Sequence, residues 1–564
     1  MIYYDTENQA YLTSPWIVNT PWRARPLPNV PPNPTGFVAV SYVHEDGAVH
    51  ALAIQTAQRG PRLLRTGIKQ LLARVTRRRY RLYYDALQAR HIEMCNDLPA
   101  PDQYREIRTA ARLLGAASSA GLIDWAQSTF GPQVAQLPPL PAPPAELGAI
   151  TPAEWHALRE VQMLAWLYRY NLVADLLRCR GLTRIWQVEH RVLEPTAHML
   201  VHGVRVDVEG LRNHEQGLRH LQEVLRQQAL AYNPPVRHFT GEEKSVWAEV
   251  SQTRQLLSTA DPETGRVHSH LDPLGTVNGR FTTRKPSLHS LAVNLRQFVC
   301  ADPGRRIVQV RFPDLELHVV AELSGDERLS RACARGDDLH RHLAAQLFLA
   351  DADAVSDEQL QLADTVKRCM LYGYSTEKLA KNLGDAAPDA ELLVRRFWRL
   401  RDGLRAWLRQ LRVTAAEKQA AFTHFGRRRG LPDLASESGA DYEVEFRKAT
   451  AMVIKGTAAD VLKLALFRIW CGFPADCRIV LALHDSLLFE VPQESVSAFV
   501  SRLQRVLEHP MPGLKMPLRT LIGVGQTWSE VTHAQCVQPR RVRRPRGHNA
   551  PASRFSPRPL PSPV

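Results

Sequence analysis

The chain has 564 residues, enough for roughly three or four domains at about 150 residues each. Its net charge of +15 favours a polyanionic partner, most simply nucleic acid; a basic but solvated surface is the alternative. The eight cysteines form no CxxC pair, which excludes a zinc or disulfide framework and favours an intracellular protein with reduced thiols. The sequence predicts neither a signal peptide nor a membrane span, because it has no basic segment followed by an apolar one at its start and no run of about 18 apolar residues.

The first 232 residues show alternating proline-rich and patterned segments. Residues 1–35 are rich in proline and are predicted to be an extended leader, and a second proline cluster at 131–152 predicts a linker. Between them, GFVAVSYV predicts a strand within a mixed region. From 153 to 232 the apolar spacing predicts helices, broken near Gly203.

The second half of the chain shows clearer strand and helix patterns. Residues 295–325 contain the β-branched run RRIVQV, which predicts a strand, followed by LELHVVAEL, which predicts an amphipathic helix. Residues 450–470 predict a helix. DCRIVLALHDSLLFEVP predicts two strands joined by a tight turn.

The tail from residue 534 has seven arginines and no lysine or acid, which leaves a net charge of +8 for residues 1–533. Its segment 540–546, RRVRRPR, is typical of a disordered basic arm. Nuclear targeting or DNA tethering is one interpretation, and a solvated tail with no specific role is the alternative.

Six motifs between residues 276 and 533 follow one another in a recognisable order. They are TVNGRFTTRKPSLHSL, VRFPDLELHVVAELSGDERLSRACARGDDLHRHLAAQLF, DTVKRCMLYGYSTEKLA, FGRRRGLPDL, RKATAMVIKGTAADVLKLAL and LALHDSLLFEVP. Together they resemble the family A DNA polymerases, the group of bacterial polymerase I and the eukaryotic theta and nu enzymes. The closing segment MPLRTLIGVGQTWSEV and the upstream segment VEHRVLEPTAHMLVHGVRVD are similar to the same family, so the resemblance covers roughly residues 185–533.

The resemblance implies an α+β right-hand polymerase fold with an N-terminal, degenerate 3′–5′ exonuclease-like α/β domain. Ser41 and Val43 occupy the acidic positions of the first exonuclease strand, so we expect no exonuclease activity. The implied order is a proline-rich leader (1–35), the exonuclease-like domain (36–184), thumb (185–270), first part of the palm (271–345), fingers (346–424), second part of the palm (425–533) and the basic tail (534–564).

Nucleotide addition in this family uses two magnesium ions about 3.5–4 Å apart, held by carboxylate oxygens. The resemblance assigns metal binding to Asp485, beside His484; a turn-capping aspartate is the alternative. Arg311 occupies the position of the other aspartate. Asp314, three residues on and beyond a proline, is the candidate substitute, and Glu316 falls where the family packs a glutamate near the incoming sugar.

The resemblance also assigns residues to DNA. Arg280 would reach the minor-groove edge of the primer terminus, a task that suits the fixed fork of a guanidinium. Arg427, Arg428 and Lys455 would contact DNA from the later motifs, with Lys455 in place of the usual glutamine.

The fingers segment departs from the family pattern. Tyr372 matches the tyrosine next to the templating position, but Lys367 lies five residues before it instead of eight. Asp364 occupies the usual lysine position. Lys367 and Arg368 either reach the triphosphate from the neighbouring turn or form a solvated basic face.

Two functions follow from these features. The first is template-directed DNA synthesis in replication or repair, with magnesium, primer–template DNA and dNTPs. The second is an inactive pseudo-polymerase that binds DNA or assembles replication proteins. RNA synthesis is a third interpretation. Glu316, at the position near the incoming sugar, argues against it.

Overall fold

The computed structural model describes residues 37–533 with short gaps, and two short paired strands before them, β1 (Tyr4–Asp5) and β2 (Ala10–Tyr11). The gaps are 46–47, 57–58, 60, 76–79, 102, 118, 132–133, 135–149, 170, 232–240, 385–388, 400, 436–439, 508, 512–513 and 516–517. The predicted basic tail and most of the predicted leader and linker lie outside the described residues. Within the described part, no helix combines the length and the apolar character needed to cross a membrane.

The N-terminal region is a five-stranded mixed sheet in the order β5-β4-β3-β6-β7. Strand β3, the strand predicted from GFVAVSYV, is antiparallel to β4 and parallel to β6. Its elements are β3 (Phe37–Glu45), β4 (Ala48–Thr56), β5 (Arg62–Leu64), β6 (Tyr80–Tyr83) and β7 (Gln103–Glu106), with α1 (Ile68–Val75), α2 (Ala86–Cys95), α3 (Arg108–Leu113), α4 (Leu122–Phe130) and α5 (Pro152–Arg169). Helix α5 packs on β3 and β4, so one sheet face has a helical cover.

The next region is mostly helical. The helix break predicted near Gly203 is confirmed: Gly203 has a φ of 56°, and a Cβ there would lie 2.5 Å from the Val267 carbonyl oxygen, which only glycine tolerates. The elements are α6 (Leu172–Cys179), α7 (Thr183–Arg191), α8 (Leu193–His202), β8 (Val204–Val206), α9 (Val208–Ala231), α10 (Gly241–Thr259), β9 (Arg266–Val267), β10 (His270–Asp272), β11 (Thr282–Arg284) and β12 (Val299–Cys300), with 3₁₀ turns at Leu288–Ser290 and Val293–Phe298.

Seven helices build a separate cluster around their own apolar core. The first is the helix predicted from LELHVVAEL. They are α11 (Leu315–Ser324), α12 (Glu327–Arg335), α13 (Leu339–Phe348), α14 (Asp357–Leu371), α15 (Thr376–Leu383), α16 (Ala390–Trp398) and α17 (Asp402–Lys418), with a 3₁₀ turn at Ala352–Ala354.

A four-stranded antiparallel sheet in the order β16-β17-β13-β18 forms the centre of the molecule. It includes the predicted strand RRIVQV and both strands of the predicted hairpin. The remaining elements are β13 (Arg305–Arg311), β14 (Ala420–Phe422), β15 (Arg428–Gly430), α18 (Ala440–Ala451), α19 (Thr457–Trp470), β16 (Arg478–Ala482), β17 (Ser486–Pro492), α20 (Val496–Leu507), β18 (Leu521–Gly525) and α21 (Trp528–His533), with 3₁₀ turns at Pro432–Ala435 and Gln493–Ser495 and a π-helical segment at Met452–Gly456.

Alternation along β13 gives the sheet two buried faces. Val308 and Val310 belong to the core formed with α19 and α20, whereas Ile307 belongs to the core that contains Trp528 of α21. Because both faces are buried, a slip of one residue would move each side chain into the opposite core, so the register is strongly specified.

Ion pairs join the N-terminal sheet region to the rest of the chain. Arg90 makes two hydrogen bonds to Glu194, of 3.0 and 2.9 Å, and Arg112 makes two to Asp272, of 2.8 and 3.1 Å. Paired guanidinium–carboxylate bonds fix orientation as well as distance, so these contacts hold the two regions in one arrangement.

Four charged side chains form a buried cluster between α7 and α19. Arg427 pairs with Glu189 and Asp460, and the Lys463 ammonium lies 2.6 Å from Glu189 and donates to the Pro273 carbonyl at 2.7 Å. The two acids and two bases balance in charge. Burial is the largest influence on the pKa of Lys463, which it lowers to about 8.

The buried cluster corrects the prediction that Arg427 binds DNA. The residue is 3% exposed and its guanidinium is occupied by carboxylates, so it cannot donate to a phosphate in this structure. It supports the Arg280 loop instead: Gly279 has a φ of 73°, and a Cβ there would lie 2.3 Å from the Arg427 Cζ.

We predict that Glu189→Gln destabilises the fold by about 3–5 kcal/mol, because it leaves Arg427 and Lys463 buried with one carboxylate between them. Denaturant unfolding followed by tryptophan fluorescence measures the change. The matched control is Glu223→Gln, at an exposed pair with Arg226, which should leave the unfolding midpoint unchanged. Equal effects of the two substitutions would contradict the prediction.

Candidate functional site

The turn between β16 and β17 carries the predicted metal ligand. Leu483 N donates to the Ser486 carbonyl at 2.8 Å and closes the turn, so His484 and Asp485 are exposed at its tip. Phe312 N donates to the Asp485 carbonyl at 2.8 Å, and Arg311 lies opposite Ser486 in the strand register. The sheet therefore brings positions 311 and 485 to the same end of two adjacent strands.

Two arginines, Arg311 and Arg296, lie at the same strand end as Asp485. Arg311 is half-buried and donates to the Thr532 carbonyl at 3.3 Å. The Arg296 guanidinium stacks over the Trp528 ring at 4.7 Å. Burial and the charge of Arg311 lower the pKa of Arg296, while the charge of Asp485 opposes the shift, so Arg296 lies within electrostatic range of both residues.

Asp314, the candidate substitute ligand, points into the interior. It has a left-handed backbone, with φ 61°, and its Oδ1 lies 2.7 Å from His340 Nε2. Its Oδ2 accepts from Leu339 N at 3.3 Å and from Arg519 at 3.4 Å. Burial would raise the pKa of Asp314, but the hydrogen bond and charge of His340 and the charge of Arg519 lower it overall. Metal binding would require this carboxylate to leave three partners.

Four of the predicted residues form one polar group below the hairpin. Glu316 accepts from Arg280 Nη2 and from the Tyr372 hydroxyl, both at 2.7 Å. The Lys455 ammonium lies 4.7 Å from the centre of the Tyr372 ring. Burial and then the charge of Glu316 raise the pKa of Tyr372, so it remains a hydrogen-bond donor. Although His484 is exposed overall, partial desolvation of its ring lowers its pKa, and the charge of Arg280 adds to the shift, so the hairpin tip lies within electrostatic range of this group.

The predicted triphosphate-binding cations are paired with an acid. Lys367 Nζ lies 2.5 Å from Asp364 Oδ1 and 3.2 Å from His340 Nδ1. Arg368 Nε lies 3.2 Å from Asp364 Oδ2, although the side chain is 62% exposed. One carboxylate therefore neutralises part of the charge of both residues, and through His340 this group is continuous with Asp314.

Several residues of the site were not found from the sequence. Arg296 lies outside the six motifs, and Arg519 lies in the closing segment MPLRTLIGVGQTWSEV, to which the sequence assigned no site residue. His289 lies inside the first motif, and its ring centre is 4.9 Å from that of His484; burial lowers the pKa of His289 to about 4. Arg428 is exposed on β15, so its assignment to DNA stays a prediction.

In the N-terminal sheet, β3 carries Ser41 and Val43 at the positions where the predicted exonuclease-like domain would have acids. The Ser41 hydroxyl donates to the Glu160 carboxylate on α5. Glu106 at the end of β7 is buried, which raises its pKa to about 8. Across the described residues, no group of three or more His, Cys, Asp or Glu side chains is placed to hold a metal ion. The expected lack of exonuclease activity stays a prediction.

Residues 200–530 match the family model described as DNA polymerase family A. The chain is 33% identical over 276 residues to the thermostable DNA polymerase I of Thermus filiformis, which covers 48% of this chain and 33% of that protein. It is 32% identical over 286 residues to the DNA polymerase I of Chloroflexus aurantiacus, covering 49% and 30%. The chain thus spans about a third of the length of these relatives.

The fold is similar to a solved structure, the POL domain of Pol1 from M. smegmatis in complex with DNA primer–template and dNTP. The TM-score is 0.74 at 20% sequence identity, and the similarity covers 89% of this chain and 96% of that chain. The predicted α+β right-hand polymerase fold is confirmed.

We predict that Asp364→Asn strengthens the binding of inorganic triphosphate about fivefold, because Lys367 and Arg368 lose the acid that neutralises them. Isothermal titration calorimetry measures the affinity. Asp357→Asn, in the first turn of the same helix α14, is the control and should have little effect. No change in the Asp364 variant would show that these cations do not face a triphosphate.

Proposed function

We propose that this chain, which belongs to DNA polymerase family A, binds primer–template DNA in the cleft of the right hand without adding nucleotides to the primer. The observation that carries this proposal is the position of Arg311. It lies opposite Ser486, next to the exposed Asp485, where a permanent cation takes the place of the first carboxylate. The polymerase framework around it is retained.

The side chains at this strand end do not fit a pair of magnesium ions. Two ions about 3.5–4 Å apart need several carboxylate oxygens between them. Asp485 supplies one carboxylate, whereas Asp314 is bound to His340 and Arg519, and Glu316 to Arg280 and Tyr372. At 4 Å and an effective dielectric near 20, a guanidinium repels a dication by about 8 kcal/mol.

DNA binding is supported by cations that do not depend on metal. Arg280 and Lys455 lie in the polar group below the hairpin, and Arg428 is exposed. The chain's net charge of +15 favours contacts with phosphates, whose strength falls with salt. The structural neighbour was solved with primer–template in place, which supports the same ligand class here. Binding of primer–template without nucleotide addition suits a module that assembles replication proteins at a primer terminus.

Template-directed DNA synthesis in replication or repair is the second candidate. One observation favours it: Arg280, Glu316, Tyr372 and the hairpin with Asp485 are all retained in one place. It would use magnesium held by Asp485 with Asp314 or Glu316, and dNTPs bound near Lys367 and Tyr372. The ion pair of Lys367 with Asp364 weighs against strong dNTP binding.

We predict that the wild-type protein does not extend a primer with magnesium or manganese, and that Arg311→Asp gains measurable extension because it restores the second carboxylate. A gel-based extension assay on a short primer–template measures both. Arg311→Asp combined with Asp485→Asn is the control and should be inactive again. Robust extension by the wild type would establish the second candidate instead.

We further predict that primer–template affinity is equal in EDTA and in magnesium at matched ionic strength, because the cations of the protein hold the phosphates. Arg280→Gln should weaken binding about tenfold, in line with loss of one arginine contact to a base edge. Fluorescence anisotropy measures both effects. Arg331→Gln, at an exposed pair on α12, is the matched control. A strict requirement for magnesium would contradict metal-independent binding.

A further inference from the structure

A second basic site lies away from the hairpin. Arg468, near the end of α19, and Arg502 and Arg505 on α20 line an open cleft of about 530 Å³ together with Val506 and His509. Helices α19 and α20 cover one face of the central sheet, and the cleft lies where their C-terminal ends meet. This cleft is called the rear cleft below.

Two arginines of the rear cleft, Arg468 and Arg502, pack closely against the backbone. Arg468 donates to the carbonyls of His509 and Pro510, both at 2.8 Å. Arg502 packs against Gly472 so closely that a Cβ there would lie 1.7 Å from its Nη2. Glycine at position 472 therefore makes room for the guanidinium.

These cations lack acidic partners. Among the residues that the structure describes, no carboxylate lies within 4.0 Å of the guanidinium of Arg468, Arg502 or Arg505. Arg90, Arg112 and Arg427, by contrast, each pair with an acid. Burial lowers the pKa of Arg468, and no acid offsets that shift.

Favourable interaction with helix C-termini is the simplest structural role for such arginines. It accounts for Arg468, which binds the carbonyls that follow α20, and in part for Arg505, which lies in the last turn of α20. It does not account for Arg502, which is exposed, lies one turn earlier and is aligned with Arg505 at i, i+3 spacing.

We infer that the rear cleft binds phosphate groups of a nucleic acid strand that lies outside the primer–template cleft. A guanidinium fork matches a phosphate with two parallel hydrogen bonds. The cleft volume is many times the roughly 30 Å³ that one water occupies, so the cleft has room for more than one phosphate group. Its open form suits a continuous nucleic acid backbone. Among the described residues that line it, Val506 is the only one with an apolar side chain, and three of the five carry a guanidinium group, which favours phosphate groups as the ligand.

The rear cleft is separate from the site at the hairpin. Lys455 lies just before α19 and Arg468 near its end, so 13 residues at 1.5 Å each put about 20 Å between them. A strand in the rear cleft and a primer terminus near Lys455 can therefore be bound together. The inference depends on the rear cleft alone and not on the proposed function.

The test is binding of a fluorescent oligothymidylate, measured by anisotropy over a range of salt concentrations, with and without saturating unlabelled primer–template. The wild type should keep binding the strand when primer–template is saturating. Arg502→Gln with Arg505→Gln should weaken strand binding about tenfold at 0.1 M salt and reduce the slope of log K against log salt by about 1.4. Affinity for primer–template should be unchanged in this variant.

Two further variants make the outcome specific. Arg502→Lys with Arg505→Lys keeps the charge and should keep the salt slope. Arg178→Gln with Arg180→Gln removes the same charge from another exposed surface and should have no effect. Three results would overturn the inference. They are full displacement of the strand by primer–template, an equal loss of strand binding in the Arg178 and Arg180 variant, and tighter binding of polyglutamate or pyrophosphate than of the strand. If primer–template does not bind at all, the oligothymidylate titration without primer–template still tests the rear cleft.

Discussion

The antiparallel pairing of β13 with β17 is the constraint on which the site depends. It places residue 311 opposite Ser486, and the next residue, Phe312, binds the backbone of Asp485. Since both faces of the sheet are packed, this register cannot slip without exchanging the two cores. Whatever side chain stands at position 311 must therefore lie beside the hairpin. In this chain it is an arginine, so a fixed cation lies where the polymerase resemblance expects a carboxylate.

The rest of the framework is maintained by interactions that do not involve the position of Arg311. The buried cluster of Glu189, Arg427, Asp460 and Lys463 supports the loop that presents Arg280. A buried charge cluster is costly to break, because each removed partner leaves an uncompensated charge. This cluster can hold the shape of the proposed DNA-binding cleft whether or not the hairpin binds a metal ion. The fold can therefore be kept when the metal site is lost.

Much of the fold was predictable from the sequence, because it depends on local patterns. The β-branched run of β13 and the hairpin at Asp485 were both predicted and found. The wrong prediction for Arg427 has a clear cause: its partner Glu189 is 238 positions away, so its burial has no local signal. The pairing of Lys367 with Asp364 was within reach, since i, i+3 neighbours meet on a helix. The rear cleft could not be predicted from the sequence, because Arg468 comes close to α20 only in the folded chain.

The most direct measurement is electron paramagnetic resonance of Mn²⁺ bound to the protein with primer–template and a non-reactive dNTP analogue. A catalytic pair of ions lies about 3.5–4 Å apart and gives a spin-coupled signal. If Arg311 excludes the pair, the wild type shows no coupled signal, and Arg311→Asp shows one that is lost again when Asp485→Asn is added. A coupled Mn²⁺ pair in the wild type, removed by Asp485→Asn, would contradict the displacement of metal by Arg311.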